Sequence, residues 1–411
     1  MFDSLPRESE LRSWTWVGLG IAVIYTTIPL ARALQRLVNE YFGRELFLYV
    51  CLLALAIGAR LAWRSLRQRR MQRSAYWWLG LVFCVLVTIV YKLRAIPEEA
   101  LHVVQYSALG VLIYRAFAHR VHDYTIYPLA ALATGIVGVV DEYIQWVVPA
   151  RYFDTRDIYI NFFSGVLAQA GIALGMRPRL VAYRPDLRNW GRLSYCVGAV
   201  LIVLLPGFIN SPQRVAGYAK AIPALEFLLN GNSTMAEYGY RHRSPAGGEF
   251  RSRFDTATLA ELDRRRGSEV ANALDYYLNH EGYYAYLVRY SAILDPYAHE
   301  FAVHMRRRQY HYDRTFEPDR DYAAHYTIAF FENDILQAFY PNGINTSPLP
   351  WDDATTARVA AGARRDESYV SAVSNNLITR LDESEVLLLF AIGISLSFGG
   401  GAWLSRRGRA A

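Results

Sequence analysis

Eight stretches of this chain are long and apolar enough to cross a bilayer as single helices, and that limits its fold more than any other feature. A hydrocarbon core takes about 20 residues of α-helix, because a segment without water must satisfy its own backbone donors and acceptors. The runs cover residues 14–34, 46–63, 76–95, 101–117, 125–146, 158–175, 193–210 and 386–404. The first is too long for the apolar centre of a cleavable leader, and more runs follow it, so it reads as a membrane helix. The expected class is all-α: a polytopic transmembrane bundle of about eight spans with an extracytoplasmic, mainly helical domain.

Charge placement sets the orientation. The formal net charge of +7 would suggest nucleic acid in a soluble chain. It is distributed unevenly, however, with 22 basic and 13 acidic residues in 1–210, 19 and 23 in 211–384, and 3 and 1 in 385–411. Arginines cluster after the second run (Arg60, Arg64, Arg67, Arg69, Arg70, Arg73), after the sixth (Arg177, Arg179, Arg184, Arg188, Arg192), and in the tail (Arg406, Arg407, Arg409). With eight spans all these clusters share one side, which the positive-inside rule makes cytoplasmic. Both termini are then expected inside and residues 211–384 outside. The bilayer itself is the expected partner, and no nucleic acid is needed to explain the charge. The expected division is 1–210 as the transmembrane region, 211–384 as the outer domain, and 385–411 as a last span with a basic tail.

The outer segment contains no cysteine, since Cys51, Cys84 and Cys196 all fall in apolar runs, where they read as inert packing residues. Its pattern predicts helices over 256–279 capped by Asp255, over 283–312 with a break near Pro296, and over 321–340, followed by one long helix over 367–404. The sequence His299-Glu300 with His304 resembles a zinc-protease helix, but its histidines are five apart instead of the four that place both on one metal. Arg306-Arg307-Arg308 reads as a solvated helix face, and the abundant tyrosines as packing between helices.

Ionisable residues in or beside a span are costly and mark function more often than other positions do. One set is Glu98, Glu99, His102 and Tyr106, which helical spacing puts on one face behind Pro97. A second is Asp141, Glu142 and Gln145 at the end of the fifth run. A third is Arg151, Asp154, Asp157 and Asn161, with Gly165 continuing the line to admit a close neighbouring helix. The arginine-derived topology brings all three sets to the outer side.

Glu99-x-x-His102-x-x-x-Tyr106, then Asp141-Glu142-x-x-Gln145, Arg151, Asp154, Asp157, Asn161 and Gly165, resembles the VanZ-like family of bacterial membrane proteins over about residues 76–175. That family is related to a determinant of resistance to the glycopeptide teicoplanin. The resemblance implies a bacterial cytoplasmic membrane and a role in the cell envelope more than any particular reaction.

Three uses of the cluster follow from its chemistry. As an enzyme on a phosphate-bearing lipid or lipid-linked saccharide, it would take His102, Asp141, Glu142 and Asp157 as acid or base. Arg151, with Glu99, Tyr106, Gln145, Asp154 and Asn161, would hold the substrate. Alternatively, oxygen ligands from Glu98 or Glu99, Asp141, Glu142, Asp157 and Asn161 would suit a divalent cation such as magnesium. As a non-catalytic binding or shielding protein, it would recognise a lipid-linked cell-wall intermediate, a glycopeptide or another envelope ligand without a poised acid. As a helix lock, its polar groups would only satisfy one another.

Overall fold

The computed structural model describes residues 8–410 apart from 44, 96–98, 150, 183, 185, 232–234, 236–238, 318–320, 347, 372, 374–380 and 382. The chain forms two compact units, Met1–Leu205 with Leu389–Ala411, and Pro206–Leu388.

The first unit contains α1 (Glu10–Thr27), α2 (Ala31–Tyr41), α3 (Leu46–Gln68), α4 (Arg73–Lys92), α5 (Ala100–Phe117), α6 (Ile126–Trp146), α7 (Thr155–Met176) and most of α8 (Leu187–Ile209). Among the described residues, seven helices are long and apolar enough to cross a membrane, and the bent pair α1–α2 brings the number to eight if counted as one span. The chain is a helical membrane protein. The single run expected over 14–34 is corrected here: α1 and α2 meet at 72°. Pro29 is the cause, since it has no backbone N–H to continue the ladder, whose last bond runs from the Ile28 N–H to the Tyr25 carbonyl.

Helices α5, α6 and α7 form the centre. Gly138 and Gly165 let α6 and α7 touch: a Cβ on Gly138 would lie 2.8 Å from the Asn161 Cβ, and one on Gly165 would lie 2.9 Å from the Thr134 Cγ2. Tyr25 ties α1 to this core by donating to the Val137 carbonyl at 3.0 Å. The arginine clusters gather at one end. Arg69 donates to the Met176 carbonyl at 2.5 Å, and Arg177 to the Ser74 hydroxyl at 3.1 Å. Arg188 donates to the Gly408 carbonyl at 2.7 Å, and Arg115 pairs with Glu8 at 2.6 Å. Asp123, in the turn before α6, secures the same end by accepting from the Asp186 N–H at 2.7 Å. The three thiols are free, and Cys84 is exposed on α4 instead of packed.

The second unit contains α9 (Pro212–Ala221), β1 (Tyr240–Arg243), β2 (Gly248–Ser252), α10 (Thr256–His280), α11 (Tyr283–Arg289), α12 (Pro296–Arg314), α13 (Tyr322–Phe339), α14 (Pro341–Ile344), α15 (Asp353–Gly362) and β3 (Tyr369–Val370). Asp255 caps α10 by accepting from the Thr258 N–H at 2.7 Å, as its position before the helix predicts. Phe250, Leu274, Tyr286, Phe301, Phe331 and Ile335 are among the side chains of its core.

This unit is mainly helical, as expected, and also carries a small sheet in which β1 pairs antiparallel with β2 and β2 pairs parallel with β3. The strands have four, five and two residues, too short for a period-two pattern to stand out. The long helix expected over 367–404 is absent: β3 occupies its start, and α16 (Glu383–Ala410) begins later. The arginine run is a solvated face only at Arg306, which is exposed. Arg308 is buried, donates to Asn333 at 3.0 Å and the Leu349 carbonyl at 2.8 Å, and lies over the Trp351 ring. Arg307 pairs with Glu332 at 3.2 Å.

Candidate functional site

The polar sets meet at the end of the first unit away from the arginine clusters: at the start of α5, the end of α6 and the start of α7. They fall into two groups that differ in how far their hydrogen bonds are completed.

The first group is closed. Gln145 donates to Glu142 at 2.6 Å, Arg151 donates to the Gln145 amide oxygen, and the other Glu142 oxygen accepts the Asp154 N–H at 2.9 Å. Asp154 caps α7 by accepting from the Arg156 N–H at 2.7 Å, and Arg156 reaches across to Glu99. These contacts clamp the loop between α6 and α7 against the end of α6. Burial and nearby Asp157 push the Glu99 carboxyl above its ordinary range, and Arg156 pulls it back.

The second group is open. Asp141 is 1% exposed and neither carboxylate oxygen has a hydrogen bond. The His102 Nδ1 lies 3.7 Å from it. The Tyr106 hydroxyl approaches Asp141 and the Asn161 amide approaches His102, but none of these contacts closes to hydrogen-bonding geometry. One Asp157 oxygen and the Arg151 Nε are likewise buried without partners. Buried polar groups in a folded chain are almost always paired, so a concentration of unpaired ones beside a cavity has the chemistry of a binding site.

That cavity is real. A space of about 460 Å³ opens beside the cluster and is lined by Glu99, His102, Asp141, Gln145, Arg151 and Asp157. Tyr106 and Asn161 are fully buried behind this lining, and Glu142 and Asp154 belong to the clamp. Glu98 and Pro97 lie outside the described residues. Among the described residues, no three His, Cys, Asp or Glu side chains form a set that could hold a metal ion. In the second unit, His304 donates to Glu332 at 2.7 Å, while Glu300 accepts from Ser252 at 2.7 Å and from Arg253 at 3.0 Å. The zinc-like motif is therefore divided between two structural networks.

The opposite wall was missed by the sequence reading. It comes from the α1–α2 bend: Ile24, Thr27, Ile28 and Leu30 precede α2, and Arg32 and Gln35 project from its first turns. The signal was present in Pro29 and in the polar face Arg32, Gln35, Arg36, Asn39 and Glu40, which breaks the pattern of a span.

The fold and site together define a polytopic helical membrane protein with a half-polar cavity at one end of its bundle. No family model, no curated protein and no solved structure matches the chain.

Proposed function

We propose that this is a VanZ-like protein of the bacterial cell envelope whose pocket binds a phosphate-bearing lipid or lipid-linked saccharide and thereby raises tolerance to glycopeptides. In this reading the arginine-rich end of the first unit faces the cytoplasm, both termini with it, and residues 211–384 are extracytoplasmic. The observation that carries the reading is the open group: Asp141, His102, Asn161 and Arg151 keep buried polar atoms unpaired around the cavity. A helix lock accounts for the Glu142–Gln145–Arg151–Asp154 clamp but not for these atoms, whose burial costs about 1–3 kcal/mol each without a partner. Arg151 supplies a guanidinium fork for phosphate oxygens. A catalytic form of the same reading adds Asp141 as base and His102 as acid, whose side chains lie 3.7 Å apart and both line the cavity.

The test is teicoplanin tolerance of a bacterial host expressing the chain, Arg151→Ala or Asp141→Asn, with membrane levels matched. The wild-type chain is expected to raise tolerance and both variants to return it to baseline. Retention by both variants overturns the site and leaves the lock. Loss in Asp141→Asn with lipid binding intact favours catalysis over shielding.

A further inference from the structure

The cavity has two unlike walls. One is the polar cluster just described; the other is mostly apolar, built from Ile24, Ile28, Leu30, Leu34 and Phe47, with Thr27, Arg32 and Gln35 set among them. A soluble anion needs only the first wall, and an apolar molecule only the second. A cavity of about 460 Å³ is in the size range of small-molecule sites and has room for a head group and the first part of a chain.

The helix that provides Arg32 is built differently from its neighbours. Its polar residues, Arg32, Gln35, Arg36, Asn39 and Glu40, fall on one side, and Leu34, Leu37, Val38 and Tyr41 on the other. Only Val38 of that apolar side is buried, while Leu34, Leu37 and Tyr41 stay exposed. A short helix of this composition, set at 72° to the span before it, has the form of a segment lying in the plane of a membrane interface. Its exposed apolar side then faces acyl chains, and its first turns close the side of the cavity.

Building on the phosphate-lipid reading, we infer that the cavity takes a single-phosphate amphiphile entering from the side, gripped at its head by Arg32 together with Arg151, with its first carbons against Ile28, Leu34 and Phe47. Arg32 is a binding residue in this scheme, and the Pro29 bend is what brings it to the site. Asp141 and His102, on the facing wall, leave the phosphate to the guanidinium groups and meet whatever the head group carries beyond it.

The purified full chain in dodecyl maltoside, probed by thermal shift and by native mass spectrometry, separates the alternatives with three probes: dodecyl phosphate, dodecanol and inorganic phosphate. Dodecyl phosphate is expected to bind, with dodecanol and inorganic phosphate each at least tenfold weaker. Arg32→Gln should weaken dodecyl phosphate by about tenfold, the worth of one charge-assisted contact. It should not lower the unliganded melting temperature, because Arg32 is exposed. Pro29→Ala, which removes the break, should weaken binding as well. Full binding by Arg32→Gln but not by Arg151→Gln would overturn the role of α2 while leaving the anion pocket standing. Inorganic phosphate binding as tightly as dodecyl phosphate would overturn the amphiphile, and no binding of either phosphate would overturn the underlying phosphate reading.

Discussion

Asp141 in the first unit and Glu332 in the second are equally hidden, at 1% and 0% exposure, yet their surroundings are opposite. Glu332 accepts from His304 at 2.7 Å, Tyr369 at 2.5 Å and Ser371 at 2.6 Å, and pairs with Arg307 at 3.2 Å. Asp263 and Glu300 are similarly served: Asp263 accepts the Tyr297 hydroxyl at 3.0 Å and the Asn342 and Gly343 N–H groups at 2.8 and 3.1 Å. Asp141 accepts nothing and faces a cavity. Burial alone therefore does not distinguish a structural carboxylate from a functional one. What differs is whether the fold has supplied donors. Where it has, the carboxylate holds helices and strands together; where it has not, the group is available to something that enters from outside.

The contrast is most easily broken at Glu332. Glu332→Ala strands His304, Ser371 and the Tyr369 hydroxyl in the core and is expected to cost the second unit about 3–5 kcal/mol. Hydrogen exchange read peptide by peptide in the intact protein should show α12 and α13 losing protection first. Unchanged protection there would mean that the saturated network is not what holds this unit together.

Acid should act on the same unit through two groups. Burial and the Arg253 guanidinium lower the His299 pKa to about 4. Between that value and an ordinary histidine near 6.5, the unfolded chain binds a proton that the folded one refuses, so stability falls as the pH drops through that window. Burial pushes the Glu332 carboxyl upward, but His304, Ser371 and Tyr369 outweigh it and hold it below 4.5. Its contribution is therefore full above 4.5 and disappears as the pH falls through its lower folded value. His299→Gln should flatten the upper limb of the pH–stability profile and leave the lower one. A profile unchanged by that substitution would remove His299 from the account.

The smallest expected effect is at the residue with the largest proposed role. Asp141→Asn breaks no hydrogen bond of full geometry and loses only the long 3.7 Å approach of His102, so the stability of the intact protein should change by no more than about 1 kcal/mol. A loss as large as that of Glu332→Ala would show that Asp141 is structural after all and would erase the difference between the units.

The candidate site was partly legible in the sequence. Helical spacing and the alternation of spans put Glu99, His102, Asp141, Gln145, Arg151 and Asp157 at one end of one bundle, and those side chains do line one cavity. The spacing did not separate them from Glu142 and Asp154, which look equally polar in the sequence but close on each other. It also missed Arg32, because a hydropathy window averages across Pro29 and reads a long apolar helix and a short amphipathic one as one run. The reading of Arg306-Arg307-Arg308 as solvated holds for Arg306 and failed for Arg308, because a buried arginine depends on partners 25 and 41 positions away, Asn333 and Leu349.

The sequence by itself determined where the long apolar helices lie, which loops carry the arginines, and where Asp255 starts α10. Each of these is a local sum: transfer free energy over about 20 residues, charge over a short loop, or one side chain reaching its own next turn. The tertiary structure alone decided which buried polar atoms find partners and which do not, where the chain bends to complete the cavity lining, and that residues 248–249 pair with 369–370. These depend on ångström-scale placement of elements far apart in the chain, because a hydrogen bond that is full strength at 2.7 Å has gone by the distance at which His102 sits from Asp141.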